Sequence, residues 1–292
     1  MNKGYKKTIR SVLTWIITAA IFIFLFSGIK LDDVLRAIRA ADITLFVFSL
    51  LISMLAHIYF STARYRGILK ALGIRLSFSE VLIMRMGSLP IKGVLPLKAG
   101  EVTRVAYLKK LHNVPYARGA GSILLGYALS AFMLSLFVIA GLVLGHPEEP
   151  LRILSVGLLA LLVLALILKA RSFPEKQGWL KTFGTLSFYT LGFEGLKIIN
   201  VFIIFKAMSV EIPPEAFFLY VPIALLISSL PVTVLGLGVR EGATVLFFSG
   251  FAAPEALLGA SLLVSFSNHI FAALLGLLFL NAFMSRLLGS PR

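Results

Sequence analysis

Residues 228–248 read SSLPVTVLGLGVREGATVLFF. Apolar runs flank the stretch, yet Pro231, Gly236 and Gly238 interrupt it, and Arg240 and Glu241 follow immediately. Proline withholds a backbone donor and disfavours helix in the residue before it, while glycine accepts dihedrals that other residues avoid. The stretch therefore reads as two half-helices joined by an unwound break. At membrane depth, such backbone is tolerated only where it is buried in protein or lines a polar cavity.

The composition puts this stretch in a bilayer. The chain has 292 residues, of which 59% are hydrophobic and only 14% charged, with a mean hydropathy of +0.95. A soluble domain carries about 25% charged residues. Apolar segments at 11–29, 43–60, 119–144, 151–168, 184–206 and 255–283 each have the length of a spanning helix, and 216–251 is a further apolar region broken by the opening motif. The fold class expected is all-α: a polytopic membrane protein with about six spanning helices plus two broken, re-entrant hairpins, forming one domain over 1–292. The N-terminal run is long and lacks a clear cleavage site, so it reads as a retained first helix rather than a signal peptide.

The net charge of +15 follows from the positive-inside rule and attraction to anionic headgroups, and no nucleic-acid-binding pattern accompanies it. Four basic residues precede the first span, eleven lie in 61–118 and four in 169–183, whereas the intervening loops are poorer. The N-terminus is expected on the cytoplasmic side of the cell membrane. Cysteine is absent, which rules out disulfides, thiol catalysis and Cys-ligated metals.

A second copy of the opening pattern lies upstream. Residues 88–108 read SLPIKGVLPLKAGEVTRVAYL, against SLPVTVLGLGVREGATVLFF at 229–248. Each starts Ser-Leu-Pro and passes through Gly or Pro, then places a glutamate (Glu101, Glu241) at the start of a helical segment. Pro90, Pro96 and Gly100 mark the first break; Pro231, Gly236 and Gly238 mark the second. Counting crossings between them puts the two hairpins in inverted topology. Paired discontinuous helices are a pointer to a transporter's binding site. Each second half-helix offers free N–H groups and a positive dipole end, and Lys98, Arg104 and Arg240 lie nearby. An anionic headgroup is the ligand this chemistry suits.

The candidate binding residues are Arg240, Glu241, Arg104, Glu101, Lys98, Glu194 and Lys197. Glu101 and Glu241 have an alternative reading as first-turn carboxylates that favour their helix dipoles, and Arg240 with Glu241 as a self-neutralising clamp. Glu194, Lys197 and Asn200 share one face of the fifth helix, where they pair with Arg240, line a path, or form a local i, i+3 bridge. His57 reads as a packing histidine, Asn268 and His269 as interhelical hydrogen-bonding groups, Gly141 and Gly145 as a close-packing pair, and Arg64 and Arg66 as markers of the cytoplasmic interface.

At these motifs the chain resembles the lysylphosphatidylglycerol synthase transmembrane-region family of flippase-like proteins. The carrying residues are Leu95-Pro96-Leu97-Lys98-Ala99-Gly100-Glu101 with Arg104, and Leu230-Pro231 through Gly236-Leu237-Gly238-Val239-Arg240-Glu241. Lys98 stands where the family often has another residue. The resemblance implies a lipid-handling membrane domain: a translocase of an anionic or aminoacylated phospholipid, or of a polyprenyl- or isoprenoid-linked lipid. The alternative is a non-catalytic accessory subunit that binds lipid beside a separate synthase or glycosyltransferase. The residues after the last span leave no room for an aminoacyltransferase domain, so a complete synthase is not expected. No constellation for catalysis, metal or cofactor stands out, and ATP is not expected to drive it, since no Walker A motif occurs.

Overall fold

The computed structural model describes residues 29–94, 99–145, 178–229 and 238–289, with single helical positions between 152 and 165. The expected spans at 11–29 and most of 151–168 lie outside the described residues, as do Pro96, Lys98, Pro231 and Gly236. The elements among the described residues are all helices: α1 (Leu31–Arg39), α2 (Ile43–Ala71), α3 (Phe78–Gly87), α4 (Leu89–Val94), α5 (Ala99–His112), α6 (Tyr116–Gly145), α7 (Trp179–Ala207), α8 (Pro214–Ser228), α9 (Val239–Phe248) and α10 (Pro254–Leu288).

Helices α2, α6, α7 and α10 are long and apolar enough to cross a bilayer. Their outer faces are apolar as well: Leu124, Leu180 and Leu278 are exposed. In water, exposed leucines in such number would favour aggregation; against lipid tails they cost nothing. The protein is a polytopic helical membrane protein.

Local sequence sets the helix starts. Asp42 accepts from the backbone N–H of Thr44 and Leu45 at 2.8 and 3.1 Å, opening α2. Ser77 accepts from Glu80 N at 3.2 Å, opening α3. These bonds satisfy donors that the first helical turn leaves free. Gly238 precedes α9 with φ at +83°, a dihedral that a side chain would strain.

Helices flank both expected breaks, whose turns at 95–98 and 230–237 lie outside the described residues; Pro90 and Gly100, expected in the first break, lie in the first turns of α4 and α5. The first hairpin comprises α3, α4 and α5; the second comprises α8 and α9. They pack at opposite ends of α10. The first meets its C-terminal half, where a Cβ on Gly276 would lie 2.5 Å from the Met86 carbonyl oxygen and 2.8 Å from Pro90 Cδ. The second meets its N-terminal half: α9 packs on the segment that starts at Pro254, and α1 covers the same region. A 35-residue helix is roughly 50 Å long at 1.5 Å per residue. The two hairpins therefore meet α10 in different halves of its length.

Small residues allow these approaches. A Cβ on Gly141 would collide with the backbone of Leu219, so α6 and α8 touch backbone to backbone. This matches the close packing expected of Gly141. Gly100 plays the same part within the first hairpin, where a Cβ would lie 2.7 Å from Lys92 N.

Two turns of π-helix interrupt the long helices, at Ala56–Phe60 in α2 and at Phe266–Phe271 in α10. Such widened turns are frequent at functional sites. Beside them a buried polar network ties three helices together. Asn200 Nδ2 donates to Ser49 O at 2.7 Å and to Ser267 Oγ at 2.9 Å; Asn268 Nδ2 donates to Asn200 Oδ1 at 2.9 Å; and Ser53 Oγ donates to Ser267 O at 2.8 Å. At one end of the bundle Glu80 takes bonds from Tyr107 and Arg286, joining the first hairpin to the end of α10. Burial would raise the Glu80 carboxyl, but Tyr107, Arg286 and His112 outweigh it and hold it below the usual carboxylate range.

Candidate functional site

A cavity of about 200 Å³ opens where the two hairpins approach the middle of α10. The first hairpin contributes Arg85, Lys92, Glu101 and Arg104; the second contributes Ser228, Ser229 and Arg240. Arg64, Glu194, Lys197, His57 and His269 add charged and imidazole groups from α2, α7 and α10, and α6 adds the hydroxyls of Ser122, Tyr127 and Ser130. Among the described residues the wall thus holds six Lys or Arg side chains and two carboxylates, an excess of four positive charges.

The charges form three groups. In the first, Glu101 pairs with Arg104 and, at 3.3 Å, with Lys92 Nζ. The guanidinium of Arg104 sits 5.0 Å from the centre of the Tyr65 ring, and that of Arg85 sits 5.7 Å from it. Arg85 also donates to Ser61 Oγ. In the second, Glu194 accepts from Lys197 at 2.7 Å and faces Arg64 Nη1 at 3.5 Å. Arg64 donates to Ser130 Oγ at 2.6 Å and lies 4.6 Å from the Phe193 ring centre. In the third, Arg240 donates to Ser265 Oγ at 3.0 Å and to His269 Nε2 at 2.6 Å. That bond makes His269 Nε2 an acceptor, so the ring's proton sits on Nδ1.

Glu241 lies behind this wall. It is fully buried and accepts from Gly238 N at 2.6 Å and from Ser265 Oγ. Its carboxylate closes the first turn of α9 and steadies the serine that receives Arg240, which agrees with its alternative reading as a first-turn carboxylate. Glu194 and Lys197 make the i, i+3 bridge and also line the cavity; the additional partner of Glu194 is Arg64.

Arg64 is the main correction to the sequence reading. It was expected at the cytoplasmic interface, but it is 7% exposed and lines the cavity. It lies within α2 close after the π-turn, in the span that runs on to Ala71. Arg66, two residues on, is exposed and donates to Leu76 O at 3.2 Å. Arg85 and Lys92 carried no expectation. Their signal was present: Arg85 interrupts the apolar run of α3, and Lys92 stands inside the first motif between Pro90 and Pro96. His57 packs edge-on against Phe193 at 5.6 Å, as expected, but it also faces the cavity, and neither ring nitrogen makes a hydrogen bond there.

Arginine and lysine at such depth carry a desolvation cost of several kcal/mol each, offset only by good partners. Two carboxylates cannot offset six cations. The arrangement suits a bound anion, with guanidinium forks and ammonium donors to hold its oxygens. Among the described residues no group of three His, Asp or Glu stands together in a way that could hold a metal ion.

Fold and cavity together define a class: a helical membrane protein whose broken hairpins converge on a buried cationic chamber. The chain matches the Lysylphosphatidylglycerol synthase TM region family over residues 11–276, and it belongs to that family. Family and apolar helices make it a membrane protein concerned with lipids. No curated protein matches the sequence.

Proposed function

We propose that the protein is a lipid translocase that takes an anionic headgroup into the chamber between its two hairpins, without performing chemistry on it. One observation carries the reading: among the described residues, six cations and two carboxylates line one cavity to which both hairpins contribute side chains. The headgroup would exchange water for guanidinium and ammonium donors while the tails stay on the apolar outer face. Alternate opening of the hairpins toward either side would then move it across. The energy source would be the lipid gradient itself or a coupled ion. The charge pattern of the loops supports an N-terminus on the cytoplasmic side.

The test is reconstitution of the whole chain into liposomes with a fluorescent anionic phospholipid, using dithionite to bleach the outer leaflet. The expected result is accelerated loss of the protected pool, slowed by Arg64→Ala and by Arg104→Ala in protein that elutes as a single folded species. Liposomes with no acceleration over empty controls would sink the translocase reading. Retained lipid binding in that case would favour an accessory lipid-binding subunit beside a separate synthase or glycosyltransferase.

A further inference from the structure

We infer that the chamber selects a lipid ending in a terminal phosphate, a phosphomonoester with close to two negative charges, over a phosphodiester lipid with one. This rests on the reading of the chamber as a headgroup site and goes further in naming the headgroup's charge.

Among the described residues, six cations face two carboxylates at the wall, an excess of four. Counting Glu241, which lies behind Arg240, leaves three. Neither hairpin turn can lower the count further, because residues 93–98 and 230–237 contain no Asp or Glu, and Lys98 adds a cation to the sequence there. A single negative charge therefore leaves at least two buried cations uncompensated, whereas a terminal phosphate, at roughly −1.5 to −2 near pH 7, leaves about one on the lower count.

The internal pairing points the same way. Glu101 is engaged by Arg104 and Lys92, and Glu194 by Lys197 and Arg64. Arg85 has no carboxylate within ion-pair reach among the described residues; it has Ser61 and the Tyr65 ring, and its Nε is buried without a hydrogen bond. A guanidinium so placed lacks an anion, and a terminal phosphate offers three oxygens where a diester offers two. A net-cationic aminoacylated headgroup would add charge of the wrong sign.

The experiment uses the full chain in nanodiscs of zwitterionic lipid and measures the binding of dioleoyl phosphatidic acid and dioleoyl phosphatidylglycerol, which share their tails and differ in phosphate substitution. Inorganic phosphate is the third probe. Phosphatidic acid is expected to bind at least about tenfold more tightly than phosphatidylglycerol, because an additional charge in a low-dielectric chamber is worth at least one factor of ten. The gap should narrow to about threefold or less in Arg85→Gln and persist in Arg85→Lys. Equal affinities in the wild-type protein, or tighter binding of lysyl-phosphatidylglycerol, would overturn the inference. A folded Arg85→Gln protein that keeps the full gap would remove Arg85 from it. Inorganic phosphate binding as tightly as phosphatidic acid would keep the charge preference but refute a lipid ligand. A binding gap with no translocation in liposomes would remove the translocase reading and leave this inference standing.

Discussion

Replacing Glu194 with glutamine keeps its shape and removes one of the chamber's two carboxylates. The residue is 1% exposed and sits between Lys197 Nζ at 2.7 Å and Arg64 Nη1 at 3.5 Å. Breaking a buried ion pair by removing one partner costs about 3–5 kcal/mol, because the other charge is left behind. The side chain of Lys197 is 18% exposed, so water screens part of the loss and the low end, about 3 kcal/mol, applies. At roughly 2–4 °C per kcal/mol for a chain of this size, the apparent Tm of detergent-purified protein should fall by roughly 6–12 °C. An anionic lipid should then recover much of the loss, since its phosphate replaces the missing carboxylate as counter-ion. Its stabilising effect should be larger on Glu194→Gln than on the wild type. Thermal unfolding followed by tryptophan fluorescence, with and without added lipid, measures both quantities. A variant as stable as the wild type, or one stabilised by lipid to the same extent, would refute the view that Glu194 acts as the empty chamber's counter-ion.

Other expectations concern the frame around the chamber. Gly276→Ala would press a methyl group into the Met86 carbonyl and Pro90, so it should destabilise by about 1–3 kcal/mol despite alanine's better helix propensity. Gly195→Ala, with nothing within 4 Å of the new methyl, should instead stabilise by up to about 1 kcal/mol; equal shifts for the two would show that α10 does not pack against the first hairpin this closely. Asn200→Ala removes the bonds to Ser49, Ser267 and Asn268. At about 0.6 kcal/mol per interhelical bond in a membrane, the loss should be roughly 2 kcal/mol, read from the apparent Tm; an unchanged value would mean the network is not holding α2, α7 and α10 together.

Much of this architecture was legible in the chain. Long apolar runs declare spanning helices because a bilayer leaves the backbone no other way to satisfy its hydrogen bonds. Proline and glycine act on the backbone of their own segment, which is why the Ser-Leu-Pro motifs led to expected breaks; of the residues named for them, Gly238 has the expected positive φ, while Pro90 and Gly100 lie in the first turns of α4 and α5. Gly238 and Glu241 show the same locality: the positive φ and the first-turn carboxylate of α9 are settled within four residues. The chamber's membership was not local. Arg64 looked like a residue at a membrane surface, since a basic cluster after an apolar run is what a helix end looks like. Only the continuation of α2 to Ala71, and the packing of α6 and α7 against it, bring Arg64 to Ser130 and Glu194. Arg85 joins the wall from a short helix whose direction depends on its contact with the end of α10. The sequence by itself determined a helical membrane protein and the local backbone at the start of α9, because those features follow from the solvent and from neighbouring residues. The tertiary structure alone decided which charges meet, because a charge's partners are set by helices distant in the chain.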